Sequence, residues 1–172
     1  MKLWTLQRDS VASNLARRHV AGWQYTSPNF RSAYRWMAHH LSLHLGSDSE
    51  SAPVWCWHSC DGKLGGGPTV ETADSLMGDW DYYARSTRLV ELDVPNDLPL
   101  LSSYWAWNEL LDEAITTQKE PAFNSHHVAI FRPPLFRHDS DDIQAVLPWI
   151  DPEWVIDVRS LPPTADARLD AI

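Results

Sequence analysis

An α+β fold is predicted for this chain, with a split or mixed β-sheet and flanking helices in one domain. Three observations predict it. Segments of strand-like alternation are interleaved with segments of helical periodicity. No series of βαβ units with glycine-rich crossovers appears, which disfavours a doubly wound sheet. The length of 172 residues suits one domain, and no linker or internal repeat divides it.

Lys2 to Gln7 reads as the first strand. Asp9 or Ser10 can cap a helix running to about Val20, with Val11, Leu15 and Ala16 turned inward. Gly22 to Thr26 is a connection. Ser27-Pro28 then starts a helix, a hydroxyl followed by proline at the first helical position. Phe30, Tyr34, Met37 and Leu41 make one buried face of that helix, and Gly46 ends it.

Gly46 to Ala52 is a polar loop, and Pro53 to Ser59 is an aromatic-rich strand. Cys60 to Ala84 is a long connection bearing Gly62, Gly65, Gly66 and Gly67, with a short helix expected over Ser75 to Tyr83. Connections of this length are commonly binding loops or lids. Thr87 to Val94 alternates as a half-buried strand closed by Pro95, with Val90, Leu92 and Val94 on one face and Leu89, Glu91 and Asp93 on the other.

Ser102 or Ser103 can cap a helix from Tyr104 to Ile115, whose inner stripe is Trp107, Leu110, Leu111, Ala114 and Ile115. Thr116 to Ser125 is a linker. Three strands complete the pattern: His127 to Arg132, Ile143 to Ile150, and Trp154 to Leu161. Asp151-Pro152-Glu153 forms a capped turn before the last of them. Residues 1–161 form the expected domain and 162–172 a loose tail.

The chain is acidic, with 14 basic and 23 acidic residues and a net charge of -9, which argues against general binding to nucleic acid or to an anionic membrane. Arg17, Arg18, His19, Arg31 and Arg35 make the N-terminal quarter locally positive. No apolar run is long enough for a membrane span, and the first residues lack a signal-peptide core. With only Cys56 and Cys60 present, the expected compartment is the cytoplasm. Ten tryptophans make the chain tryptophan-rich; each ring carries one N–H donor to be placed.

Four constellations can carry chemistry. His40 and His44 lie one helical turn apart, and Cys56, His58 and Cys60 alternate along a strand so that all three share a face. A small zinc site could use them, but the Cys spacing is not that of a zinc knuckle. A cysteine or serine nucleophile has no supporting motif. Gly62 to Thr69 has glycines and a lysine but matches neither a P-loop nor a dinucleotide fingerprint. Trp55, Trp57, Trp105 and Trp107 are either core or walls for a planar ligand. Glu91 and Asp93 make no clear acid/base pair.

Leu3-Trp4-Thr5-Leu6-Gln7, Ala33-Tyr34-Arg35-Trp36-Met37, Pro53-Val54-Trp55-Cys56-Trp57, Leu89 to Pro95, Leu100-Leu101 and Ile143-Gln144-Ala145 together resemble the bacterial domain-of-unknown-function family DUF3841. The W-T-x-Q opening and the P-x-W-x-W strand are the most specific parts. That family implies no established activity, and the two cysteines are not part of its pattern.

A fold-level resemblance to ADP-ribosyltransferase-like proteins rests on Leu3 to Gln7, the Gly22 turn, Tyr34, and Val146 to Val158. It implies NAD as cofactor. It also implies functional positions at Thr5 on the first strand and Gln144 on a late strand, where the family carries histidine or arginine and glutamate. Gln144 departs from that pattern: its amide can hydrogen-bond a ribose hydroxyl but cannot act as the carboxylate that stabilises a developing cation.

The leading expectation is a pocket for a nucleotide-like or other planar ligand, lined by Thr5, Gln7, Tyr34, Trp55, Trp57 and Gln144. Gln7 and Gln144 orient the ligand and Trp55 or Trp57 stacks on it. Thr5, Gln7 and Gln144 could equally form a buried hydrogen-bond network. A non-catalytic interaction or regulatory protein that binds a protein partner is the first alternative, and the zinc protein the second.

Overall fold

The computed structural model describes residues 1–47, 51–60, 63–64, 85–117, 119, 121, 130–131 and 142–161. The short helix expected over Ser75 to Tyr83, most of the glycine-bearing connection, and the tail after Leu161 lie outside the described residues.

Seven strands form one sheet: β1 (Lys2–Arg8), β2 (Val54–Cys60), β3 (Lys63–Leu64), β4 (Thr87–Asp93), β5 (Leu100–Ser103), β6 (Ile143–Leu147) and β7 (Val155–Ser160). Six follow the order β5-β6-β2-β1-β4-β7, and the two-residue β3 pairs with β2. The α+β class holds. The described pairings are all antiparallel in one open sheet, not split or mixed. Antiparallel pairing suits a chain whose strands alternate in burial instead of reading as continuous apolar runs.

The helices are α1 (Asp9–Ala12), α2 (Arg31–Leu45) and α3 (Tyr104–Thr117). Pro28 opens a 3-10 turn over Pro28–Phe30 that leads into α2. Gly46 closes α2 in the left-handed region, and Ser47 N–H donates to the Ser42 carbonyl at 3.2 Å as in a Schellman ending. The buried stripe of α2 is Ala33, Trp36, Met37, Ala38 and Leu41. Phe30, expected inside, is 36% exposed, because the helix proper begins one residue later. Ser103 Oγ accepts from Ala106 N–H at 3.4 Å at the start of α3.

The helix expected from Asp9 to Val20 is a correction: it stops at Ala12. Ser13 Oγ donates to the Asp9 carbonyl and Asn14 Nδ2 to the Ser10 carbonyl, both at 2.7 Å. These side chains compete for the acceptors that a continuing helix uses. The chain then turns so that His19 and Ile150 exchange backbone bonds at 2.9 Å. Leu15 stays buried while Ala16 is exposed.

Two further expectations are revised. β5 was not anticipated, since four residues ending in a helix cap give little alternation. Of the strand expected at His127 to Arg132, only Ile130 and Phe131 are described, and both lie in a 3-10 turn.

The sheet buries both faces. Register places Leu3, Val54, Cys56, Val90, Leu92, Ala145 and Leu147 on one face, where Leu15, Val94 and Ile150 complete the core. On the other, the helix face, α2 and α3 cover Val146 with Trp36, Met37, Trp107 and Leu110. Trp4, Trp57, Leu89 and Leu161 extend that face toward β4. Leu89 is 5% exposed, so the second face of β4, expected outward, is buried at Leu89 while Asp93 on the same face stays exposed. Each such apolar side chain contributes about 1.5–3 kcal/mol over its exposed state.

Candidate functional site

A row of side chains crosses the helix face of the sheet. Ser102 opposes Gln144, Gln144 opposes Trp57, Trp57 opposes Trp4, and Trp4 opposes Glu91. Because opposed residues of an antiparallel pair share a face, these five project to one side. Trp4 and Trp57 pack in one apolar cluster, with the Tyr104 ring 5.1 Å from that of Trp57. Glu91 lies 3.4 Å from Lys2 Nζ at the outer end.

Beside this row stands a second group of rings. Trp55 meets Tyr34 at 5.3 Å and Trp107 at 4.7 Å. Tyr34 comes from α2, Trp107 from α3 and Trp55 from β2, so the group forms only when both helices dock. With their centroids 4.7 Å apart, the Trp55 and Trp107 rings leave no room for a further planar group between them. Trp105, the fourth ring of the expected series, is 54% exposed and stands apart from this group.

Gln144 is 8% exposed and Ser102 fully buried. Gln144 Oε1, Ser102 Oγ and Trp55 Nε1 are buried and make no hydrogen bond to the described residues. A buried polar atom left so costs about 1–3 kcal/mol, and natural structures hold few of them. Three on one face, two of them on directly opposed residues, mark this region as the candidate site.

The six expected ligand residues divide between the two faces. Tyr34, Trp55, Trp57 and Gln144 come together on the helix face. Thr5 and Gln7 belong to the opposite face, since Thr5 is the partner of Val90 and Gln7 of Arg88. There Thr5 Oγ1 donates to the Trp55 carbonyl at 2.7 Å and accepts from Gln7 Nε2 at 2.8 Å. Thr5 and Gln144, the two positions implied by the ADP-ribosyltransferase-like resemblance, therefore do not share a cleft. Ser102 was missed as a site residue. It had been read as a helix cap, and only its pairing with Gln144 reveals it.

The residues of the zinc reading are also dispersed. The register of β2 against β6 shifts between Trp57 and Ser59. This bulge places Cys56 in the core of one face and Cys60 beside Trp57 on the other. The expectation that Cys56, His58 and Cys60 share a face is corrected by that one extra residue. His40 packs against Trp36 at 4.2 Å and Phe131 at 5.0 Å, and His44 Nε2 lies 3.1 Å from the Asp97 carbonyl. Among the described residues no three His, Cys, Asp or Glu side chains converge as metal ligands. Burial lowers the pKa of His58, aided by the N-terminal ammonium.

The family model for the domain of unknown function DUF3841 matches residues 2–130. The chain belongs to that family. The match takes in β1 through α3 and so includes Trp4, Tyr34, Trp55, Trp57, Glu91 and Ser102, while Gln144 lies beyond it. No curated protein and no solved structure matches the chain significantly. Among the described residues no helix is long and apolar enough to cross a membrane.

Proposed function

We propose that this DUF3841 member binds a small planar ligand with a hydrogen-bonding edge, nucleotide-like in chemistry, on the helix face around Gln144. The observation that carries this reading is the opposed pair Gln144 and Ser102, whose Oε1 and Oγ atoms are buried without a partner among the described residues. Gln144 Oε1 accepts from a ligand amide or amino group, and the Ser102 hydroxyl donates or accepts beside it. Trp55 Nε1 supplies a further donor. Trp57, Trp55 and Tyr34 give the apolar walls that exclude water and strengthen these bonds. NAD, nicotinamide and adenine nucleotides fit this description. Gln144 and Ser102 bind and orient; neither is given a proton-transfer step. A cytoplasmic location goes with this reading and is supported by a cysteine content of only two, both buried.

The test is a thermal-shift panel of NAD, its nicotinamide and adenine fragments, and common nucleotides. A ligand at 100 times its dissociation constant adds about 2.7 kcal/mol, or roughly 5–10 °C for a chain of this size. Gln144→Leu is expected to abolish the shift while holding or raising the melting temperature of the free protein. A full ligand shift in Gln144→Leu overturns the proposal, and so does a flat panel with the wild type.

The exposure of Tyr25 at 75% and Trp105 at 54% favours a second reading, a non-catalytic interaction protein. It requires a flat ligand panel and a partner whose binding is lost in Trp105→Ala.

A further inference from the structure

β7 is the last strand of the sheet and, among the described strands, pairs only with β4. Five of its six residues are exposed, including Ile156 at 50% and Val158 at 40%. An edge strand carries a row of backbone donors and acceptors directed away from the sheet, which template pairing with another chain. Edges defended against such pairing commonly carry proline or lysine, and β7 has neither. Its charges are one acid and one base, Asp157 and Arg159, placed symmetrically about Val158. Ile156 is the extra residue of a bulge, but from Asp157 to Ser160 the register against β4 is uninterrupted.

We propose that β7 is a homodimerisation edge, on which a second copy of this chain adds its own β7 antiparallel about a two-fold axis through Val158. In that register Val158 meets Val158 of the partner subunit, and Asp157 meets Arg159 of the partner subunit twice by symmetry. A two-fold contact requires such self-complementarity. The Asp157 and Arg159 side chains lie on the helix face of the sheet, since they oppose Glu91 and Leu89. Within one chain their ion pair is loose, at 3.5 Å, with both side chains about half exposed. Across the two-fold axis each acid stands directly opposite a base, the closest arrangement for a cross-strand charge pair. The two sheets become one continuous sheet, and the exposed Val158 side chains are covered.

Sedimentation equilibrium over a wide concentration range reads the association. Wild type is expected to show a reversible monomer–dimer equilibrium. Asp157→Arg gives a strand with two cations and Arg159→Asp one with two anions, so each alone is expected to be monomeric. An equimolar mixture of these two variants is expected to regain the dimer, with native mass spectrometry showing one chain of each kind. The double variant Asp157→Arg/Arg159→Asp is expected to dimerise with itself. A variant that failed to fold could not be rescued in the mixture, which separates loss of charge pairing from loss of structure. A wild type that stays monomeric throughout overturns the proposal. So does a single variant that dimerises like wild type, or a mixture that stays monomeric.

Discussion

The Thr5 hydroxyl donates to the Trp55 carbonyl at 2.7 Å from a side chain with no exposed surface. It thus ties β1 to the start of β2 from the face opposite the Trp55 ring. The same oxygen accepts from Gln7 at 2.8 Å, so one hydroxyl satisfies a carbonyl and an amide together. Thr5 works here as a strand-to-strand tie and holds the backbone beneath the aromatic group.

Thr5→Val keeps the shape and removes both bonds. It is expected to destabilise the protein by about 1–3 kcal/mol, the cost of leaving buried partners unpaired. Thr5→Ser keeps the hydroxyl and should recover most of that loss. Urea unfolding of both variants checks this; a Val variant as stable as wild type would remove the tie from the account.

Cys56 is fully enclosed, and burial pushes its thiol up to about 12, against a smaller opposing effect of the Thr5 side-chain bond. In the unfolded chain the thiol titrates near 9. Between these values the folded state holds a proton that the unfolded state has released, so stability falls as pH rises through that window. Below pH 9 the contribution is complete. Denaturation at several alkaline pH values should show this slope in wild type and a smaller one in Cys56→Ala. At neutral pH, a Cys60→Ser protein should resist thiol reagents until unfolded, since the thiolate is the reactive form.

Gly46 ends α2 at φ 63°, and a Cβ built there meets nothing within 4 Å. Replacement is therefore a matter of backbone conformation alone. Gly46→Ala should cost about 1 kcal/mol, and Gly46→Asn less, because asparagine tolerates this region. Chemical denaturation measures both; equal losses would mean that something other than the left-handed conformation is lost.

Much of the fold was legible because it is written in local patterns. Pro28, opening the 3-10 turn before α2, and Gly46, closing α2, have dihedral preferences that act on their own neighbours, whereas the Ser27 side chain makes no cap bond. The alternation of Thr87 to Val94 marks β4, and the Asp151 side chain accepts from Glu153 N–H at 3.2 Å in the turn expected there. The early end of α1 is a local contest too close to see in a periodicity. Val11 and Leu15 fit a helix, but Ser13 and Asn14 turn the chain out of it.

The sequence by itself determined most of the strands and the two long helices, though not β5 or the early end of α1, and it placed Gln144 and the tryptophans of β2 on strands. The membership of the candidate site was decided only by the tertiary structure. Side chains alternate with a period of two along a strand, so sequence fixes which residues of one strand agree in face. It does not fix how one strand's faces match those of the next. That depends on register, set by hydrogen bonding between segments as distant as Trp57 and Gln144. The register sends Thr5 and Gln7 to one side of the sheet and joins Ser102 to Gln144 on the other. The bulge after Trp57, a single unpaired residue, then separates the two cysteines.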